Sequence, residues 1–409
     1  MELFDVVALL LSLAAFFAFA NHHTLRLPTT LGVMALALAF SLGILAVGRL
    51  GGAPLGWMHW WHEVHFGPAL LEGMLGTLLF AGALHVKLGD LLDQKWVVAL
   101  LATGGVLLST LLIGTLTWLG SGLVGFEIDL SYCLLFGALI SPTDPIAVLS
   151  VLKQVGVPQS LEMKIAGESL FNDGVGLVVF LVLLGIVTGE GHSDVGSVSA
   201  LFLQEVVGGI AFGLAVGWVA YRMLRSMDDA KVELLVTLAV VTGGYALAGA
   251  LHVSGPLAMV AAGLLLGNHG RRFGMSDTTR ENLDSFWELA DEVLNAVLFL
   301  MIGLEVLVLP WSTPRVVAGL LAIPLVLLVR LVSVGTFVSM LRARRSFSPH
   351  VVKLLTWGGI RGGISVALAL SLPAGPERDV IVSATYVVVA FSILVQGLTL
   401  GPLIRKLYA

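Results

Sequence analysis

Charge is what this sequence has least of: Asp, Glu, Lys and Arg together make up 12% of its 409 residues. Against 57% hydrophobic residues and a mean hydropathy of +0.97, that leaves too little polar surface to clothe a soluble fold, so the membrane class follows. The single cysteine, Cys133, excludes an intramolecular disulfide and, lying in an apolar run, reads as an inert buried thiol. No basic arm is present, which removes nucleic acid as a partner. The formal charge of −5 says little, because in a membrane chain the placement of charges matters more than their sum. No Walker-type phosphate loop, HExxH pair or nucleophile elbow occurs, so neither a primary pump nor an intramembrane hydrolase has support, and neither an enzymatic activity nor a cofactor is expected. Glu2 and Asp5 stand where a secretory signal would be basic, and no small-residue cleavage site follows; the first apolar run reads as a retained span.

What is abundant is apolar runs of about twenty residues, each long enough to cross a hydrocarbon core of roughly 30 Å. Bounded by charged or Gly/Pro-rich stretches, they give thirteen candidate helices, beginning near residues 3, 28, 67, 96, 129, 160, 199, 231, 254, 284, 314, 350 and 380. With the N-terminus outside, 17 of the 22 Lys and Arg residues fall in inner loops or the tail, three outside (Arg49, Arg315, Arg378) and two within spans (Arg330, Arg361). This positive-inside bias predicts an N-out, C-in chain in the cell's inner (plasma) membrane, since a miscounted helix would scramble the alternation.

Two of these helices read as broken. The fifth carries Ser141-Pro142-Thr143-Asp144-Pro145, whose prolines remove helix donors and restrict the residues before them. The twelfth carries Gly358-Gly359-Ile360-Arg361-Gly362-Gly363, whose glycines permit unwinding and close approach. Kinks from Pro and Gly alone are common in membrane spans, but both of these breaks also carry a charged residue. Non-helical backbone at membrane depth survives only where protein or a water-filled cavity covers it. Interrupted helices seven apart run in opposite directions, which predicts an all-α, inverted-repeat secondary transporter with its site at the midplane.

An ionisable side chain within a span costs about 2.5–3.5 kcal/mol on insertion scales. The deep candidates are Asp144, Glu168, Asp173, Arg330 and Arg361, with Glu72 and Glu305 nearer to the expected helix ends. Glu168 and Asp173, five residues apart, stand roughly 140° apart around a helix and suit different tasks. A hard monovalent cation takes oxygen ligands, which Asp173, Ser169 and Thr143 could supply with water; Asn172 would edge the same cavity. If one carboxylate must lose its proton to hold the cation, a single aspartate serves both ions in turn, and one cation replaces one proton without net charge movement. Arg361 cannot deprotonate and needs a permanent partner, for which Glu168 is the choice. Such a pair would hold helices together and touch no substrate.

The segments SPTDPIAVL (141–149), HVSGPLAMVAAGLLLG (252–267) and FWELADEVLNAVLFLMIGLEV (286–306) now add a resemblance, together with GESLFNDGVGLVVF (167–180) and WGGIRGGISVALALSLP (357–373). All five resemble signature helices of the cation:proton antiporter-1 family, the NhaP/NHE type of Na+/H+ exchanger. The resemblance implies that Asp173 binds the ion and exchanges the proton, beside Asn172, with Thr143 and Asp144 lining the site from the unwound fifth helix and Ser169 supplying a ligand. It also implies an ion pair between Glu168 and Arg361, a second membrane arginine at Arg330, electroneutral exchange, and a homodimer. Of the two parts it implies, the moving core covers roughly 96–190 and 312–404 and the dimerisation part roughly 1–86 and 199–308. Many relatives carry a third-helix carboxylate near the position of Phe80 or Ala81; neither residue supplies one here, and Glu72 lies two and a half turns earlier on the other face. The regulatory tail of animal exchangers is not expected, because the chain ends at Ala409 soon after the last span.

Lesser features have plainer readings. His59, His62 and His65 among Trp57, Trp60 and Trp61 suit an interfacial aromatic segment better than a metal or pH-sensing site. His85 and His252 read as packing or interface residues, and Asp291 and Glu292 as a solvated helix start rather than a pH sensor. The expected function is Na+/H+ (or Li+/H+) antiport by alternating access around Asp173. The alternatives are K+/H+ antiport of the same mechanism, a gated cation channel, or a non-transporting receptor, with monovalent cation, protons and the lipid bilayer as partners.

Overall fold

The computed structural model describes residues 3–51, 68–122, 125–144, 148, 152, 159–189, 195–309, 311–342, 347 and 349–408. Every regular element among them is helical, and eight helices are long and apolar enough to cross a membrane. α1 (Leu3–His23), α2 (Thr29–Gly51) and α3 (Pro68–His85) are followed by α4 (Lys95–Ser121) and α5 (Leu130–Ile140). α6 (Gln159–Thr188) leads to α7 (195–224), α8 (Ala230–Ala250), α9 (Gly255–Leu265) and α10 (Asp277–Glu305). α11 (Thr313–Arg342) precedes a divided helix, α12a (Val351–Trp357) and α12b (Gly363–Leu370), and the chain closes on α13 (376–408). The histidine and tryptophan cluster at 57–65 and the side chain of Glu72 lie outside the described residues.

Helix starts fall close to the apolar runs except where polar caps extend them. α10 begins at Asp277, several residues before its apolar run, because Ser276 Oγ accepts the N–H of Thr279 at 3.3 Å and closes the first turn. This makes α10 a helix of 29 residues whose polar first half is as much a part of it as its apolar second half.

α2 packs along α10, and α9 packs against both α3 and α7. Elsewhere α4 and α6 lie on α5, and α11 on α13. Gly137 is what lets α5 approach α4, since a Cβ there would collide with the Thr110 carbonyl. Phe80 is fully buried, its ring 4.9 Å from that of Trp287, whose indole N–H donates to Thr237 Oγ1 at 3.1 Å. The position is thus a packing position in this chain.

Candidate ion-binding site at the paired helix breaks

α5 ends at Ile140 because the chain then meets Pro142 and Pro145. In a continued helix the Ser141 carbonyl would accept from residue 145, and proline has no N–H to give. Arg361 takes that place: its Nη1 donates to the Ser141 carbonyl and, at 2.8 Å, to the Pro142 carbonyl. Arg361 itself comes from the interruption between α12a and α12b, and the Asp144 N–H donates to the Ile360 carbonyl at 2.8 Å. The two interruptions are therefore hydrogen-bonded to each other.

A second chain of bonds fixes the α12 interruption from behind. The Arg361 N–H donates to Ser392 Oγ at 2.9 Å, Ser392 Oγ to Gln396 Oε1 at 2.6 Å, and Gln396 Nε2 to the Trp357 carbonyl at 2.8 Å. Ser392 and Gln396 bound a π turn in α13, a feature that recurs at functional sites. Sequence reasoning missed both, for one serine and one glutamine in an apolar span carry no periodic signal. On the other side of the interruption the Asp144 carboxylate packs against Gly362, where any Cβ would run into it. That position lies at the N-terminus of α12b, where the helix pole is positive and a carboxylate is stabilised.

α6 brings Glu168, Ser169, Asn172 and Asp173 to the same place on different faces. Asn172 Nδ2 donates to Thr143 Oγ1 at 2.8 Å, its Oδ1 accepts the Thr143 N–H at 3.3 Å, and the Thr143 and Ser169 hydroxyls are 2.9 Å apart. These three residues are buried, turn their polar atoms on one another, and clamp the unwound part of the fifth helix to α6. Asp173 is different. It is 5% exposed, lines a cavity of about 1260 Å³, and accepts no hydrogen bond among the described residues. The Asp144 carboxylate and the Arg361 guanidinium act on it electrostatically from the two interruptions.

The expected pairing of Glu168 with Arg361 is replaced in the structure. Arg330 of α11 places Nη1 2.5 Å from Glu168 Oε1, with both side chains buried, and also donates through Nε and Nη2 to the Leu355 carbonyl. Arg361 remains within electrostatic reach of Glu168, but its guanidinium is drawn instead to the Ser141 carbonyl, which Pro145 deprives of a helical N–H partner, and to the neighbouring Pro142 carbonyl. Arg330, expected only as a second membrane arginine, is thereby the direct partner.

The cavity runs between the break after α5, α6, α12b and the start of α13 on one wall and α3 and α10 on the other. Pro142, Asp144, Asp173 and Ser365 face it from the first wall; Ala81, Gly82, Asn295 and Leu298 face it from the second. Ala81, one of the two third-helix positions considered for a carboxylate, reaches the cavity with only a methyl group. The groups that Asp173, Asp144, Thr143, Ser169 and Asn172 can offer a cation here are oxygens, which suits a hard cation. His85 lies away from Asp173, with Nδ1 3.5 Å from Arg271 Nη2 and 4.0 Å from Asp284 Oδ1.

A family profile described as "Sodium/hydrogen exchanger, transmembrane" matches residues 10–406. The chain belongs to the sodium/hydrogen exchanger family. Its relatives include the Na+/H+ antiporter NhaP of Pseudomonas aeruginosa, 50% identical over 411 residues, with 99% of this chain and 97% of the relative covered. The Na+/H+ antiporter NhaH of Halobacillus dabanensis is 37% identical over 351 residues, 84% of each. Among solved structures, the sodium proton antiporter MjNhaP1 of Methanocaldococcus jannaschii aligns with a TM-score of 0.76 over 100% of this chain and 99% of that one. At 20% identity that likeness shows a common fold. The membership agrees with the resemblance carried by the five signature segments.

Proposed function

We propose that this chain is an electroneutral Na+/H+ antiporter of the inner (plasma) membrane, in which the cation and the proton compete for Asp173 during alternating access. One observation carries the reading: a carboxylate buried at two broken helices faces a large cavity and accepts no hydrogen bond among the described residues. Such a group must bind either a proton or a cation, because an isolated buried charge is costly. Its relatives' designation as Na+/H+ antiporters supports Na+ as the ion. Asp144 serves as a fixed charge at the α12b pole, while Asn172, Thr143 and Ser169 hold the interrupted segment in register and offer oxygens to the cation if the clamp opens.

In this reading α4–α6 and α11–α13 move as the core against α1–α3 and α7–α10, which carry the homodimer contact. The N-terminus is outside and the C-terminus cytoplasmic, so the Asp284 end of α10 faces the cytoplasm and its Glu305 end faces out. The positive-inside bias supports this orientation.

The test uses proteoliposomes with an internal pH dye and a clamped membrane potential. Na+ or K+ jumps are imposed on the wild type and on Asp173→Asn. The expected result is proton movement driven by Na+ in the wild type and none in the variant. Normal exchange by the variant would remove Asp173 from the mechanism, and a response to K+ alone would replace the ion.

A further inference from the structure

α10 turns one face to the cavity. Asp284, Glu288, Asp291, Asn295, Leu298 and Glu305 all line it, and their spacings of three, four or seven residues place them on a single stripe of the helix. The acidic residues of the first half stand at one mouth. Glu305 stands at the other, about 30 Å along the helix by its rise per residue.

Glu305, which the sequence places near a helix end, is nonetheless buried. It is 4% exposed, and it is the last residue of α10, so its carboxylate adds to the negative pole of a long helix. The helix end is held in place: Trp311 Nε1 donates to the Val306 carbonyl at 2.8 Å, and the Trp311 ring meets Tyr386 edge-on at 5.8 Å. Two groups of α13 lie within electrostatic reach, the Arg378 guanidinium, which also lines the cavity, and the buried Tyr386 hydroxyl. Tyr386 is 2% exposed and its hydroxyl has no hydrogen-bond partner among the described residues. Arg378 is anchored from its own side through Nη2 to the Leu370 carbonyl at 3.1 Å, and the neighbouring Asp379 is taken by Arg315 at 3.0 Å. Among the described residues, Arg378 is thus the cation that acts on Glu305, and it comes from the opposite wall.

We propose that Glu305 is a second cation station on the transport path, at the mouth remote from the acidic stripe, where Arg378 and the transported cation alternate as its partner. The proposal rests on the exchange reading around Asp173. While the walls are close, Arg378 balances Glu305; when they part, the guanidinium leaves with α13 and the carboxylate, at a negative helix pole, draws a monovalent cation into the cavity.

The experiment compares Na+-driven exchange in right-side-out and inside-out membrane vesicles for wild type, Glu305→Gln, Glu305→Asp, Arg378→Gln and Asp173→Asn. Glu305→Gln is expected to raise the apparent KM for Na+ about five- to tenfold from the Glu305 side only, with maximal rate near wild type, and Glu305→Asp to restore part of it. Arg378→Gln should lower the same KM about two- to fivefold, since it frees the carboxylate. A purely structural pair would slow both variants alike and leave both KM values in place, which would overturn the proposal; Glu305→Asp and Arg378→Gln decide it if Glu305→Gln does not insert. Exchange surviving in Asp173→Asn would instead overturn the reading beneath it.

Discussion

Arg330 Nη1 lies 2.5 Å from Glu168 Oε1, and this contact leaves Arg361 to bridge the Ser141 and Pro142 carbonyls. The two arginines thus divide the labour at the breaks. One neutralises a buried carboxylate of α6; the other replaces the N–H donor that Pro145 denies to the Ser141 carbonyl.

Removing Glu168 strands Arg330. Glu168→Ala should destabilise the detergent-solubilised protein by about 3–5 kcal/mol, the usual effect of leaving one partner of a buried pair uncompensated. Double-mutant cycles read by thermal unfolding should give a coupling energy for Glu168 with Arg330 above that for Glu168 with Arg361. The reverse order would restore the Glu168–Arg361 pairing.

Asn172 and Thr143 act as one unit, because both ends of the amide are spent on Thr143. Thr143→Val leaves the Asn172 amide N–H buried without its acceptor, a loss of about 1–3 kcal/mol, whereas Thr143→Ser keeps the oxygen. Transport should fall sharply in the first and stay near wild type in the second. Combining Thr143→Val with Asn172→Ala should cost less than the sum of the single changes.

Gly362 is required by the carboxylate beside it. Gly362→Ala places a methyl group against Asp144. Overpacking of this kind costs about 1–3 kcal/mol, so the protein should still fold and reach the membrane. Exchange should nonetheless be lost, because Asp144 must move from the α12b pole; wild-type flux in this variant would show that the close approach is incidental.

Competition at one carboxylate fixes the sign of the pH dependence. As pH falls, the protonated fraction of Asp173 grows and the apparent KM for Na+ should rise by about tenfold per pH unit once protonation dominates, with maximal rate unchanged. Initial rates across a Na+ series at several pH values check this. A maximal rate that falls at constant KM would place the titrating group elsewhere.

The breaks themselves were legible, since Pro142, Pro145 and the glycines at 358–363 act on the backbone locally. Asp173 stood out as a candidate because carboxylates within spans are few, and the structure puts it on the cavity. The partner of Glu168 was not, for two arginines were available and the choice depends on which carbonyls the folded prolines leave open. The burial of Glu305 was not legible either: the sequence places it near a helix end, but the polar first half of α10 lies outside the apolar run, and which face the whole helix turns to the cavity depends on how it packs in the fold. Ser392 and Gln396 matter through a π turn that no local pattern announces.

The most direct test is proton release on cation binding by the purified protein in weakly buffered detergent solution. The account predicts that Na+ saturates with release of one proton per ion bound at low pH, and that Asp173→Asn neither binds Na+ nor releases a proton. Stoichiometric release that persists in Asp173→Asn would contradict it, because the shared carboxylate would then lie somewhere other than at the paired helix breaks.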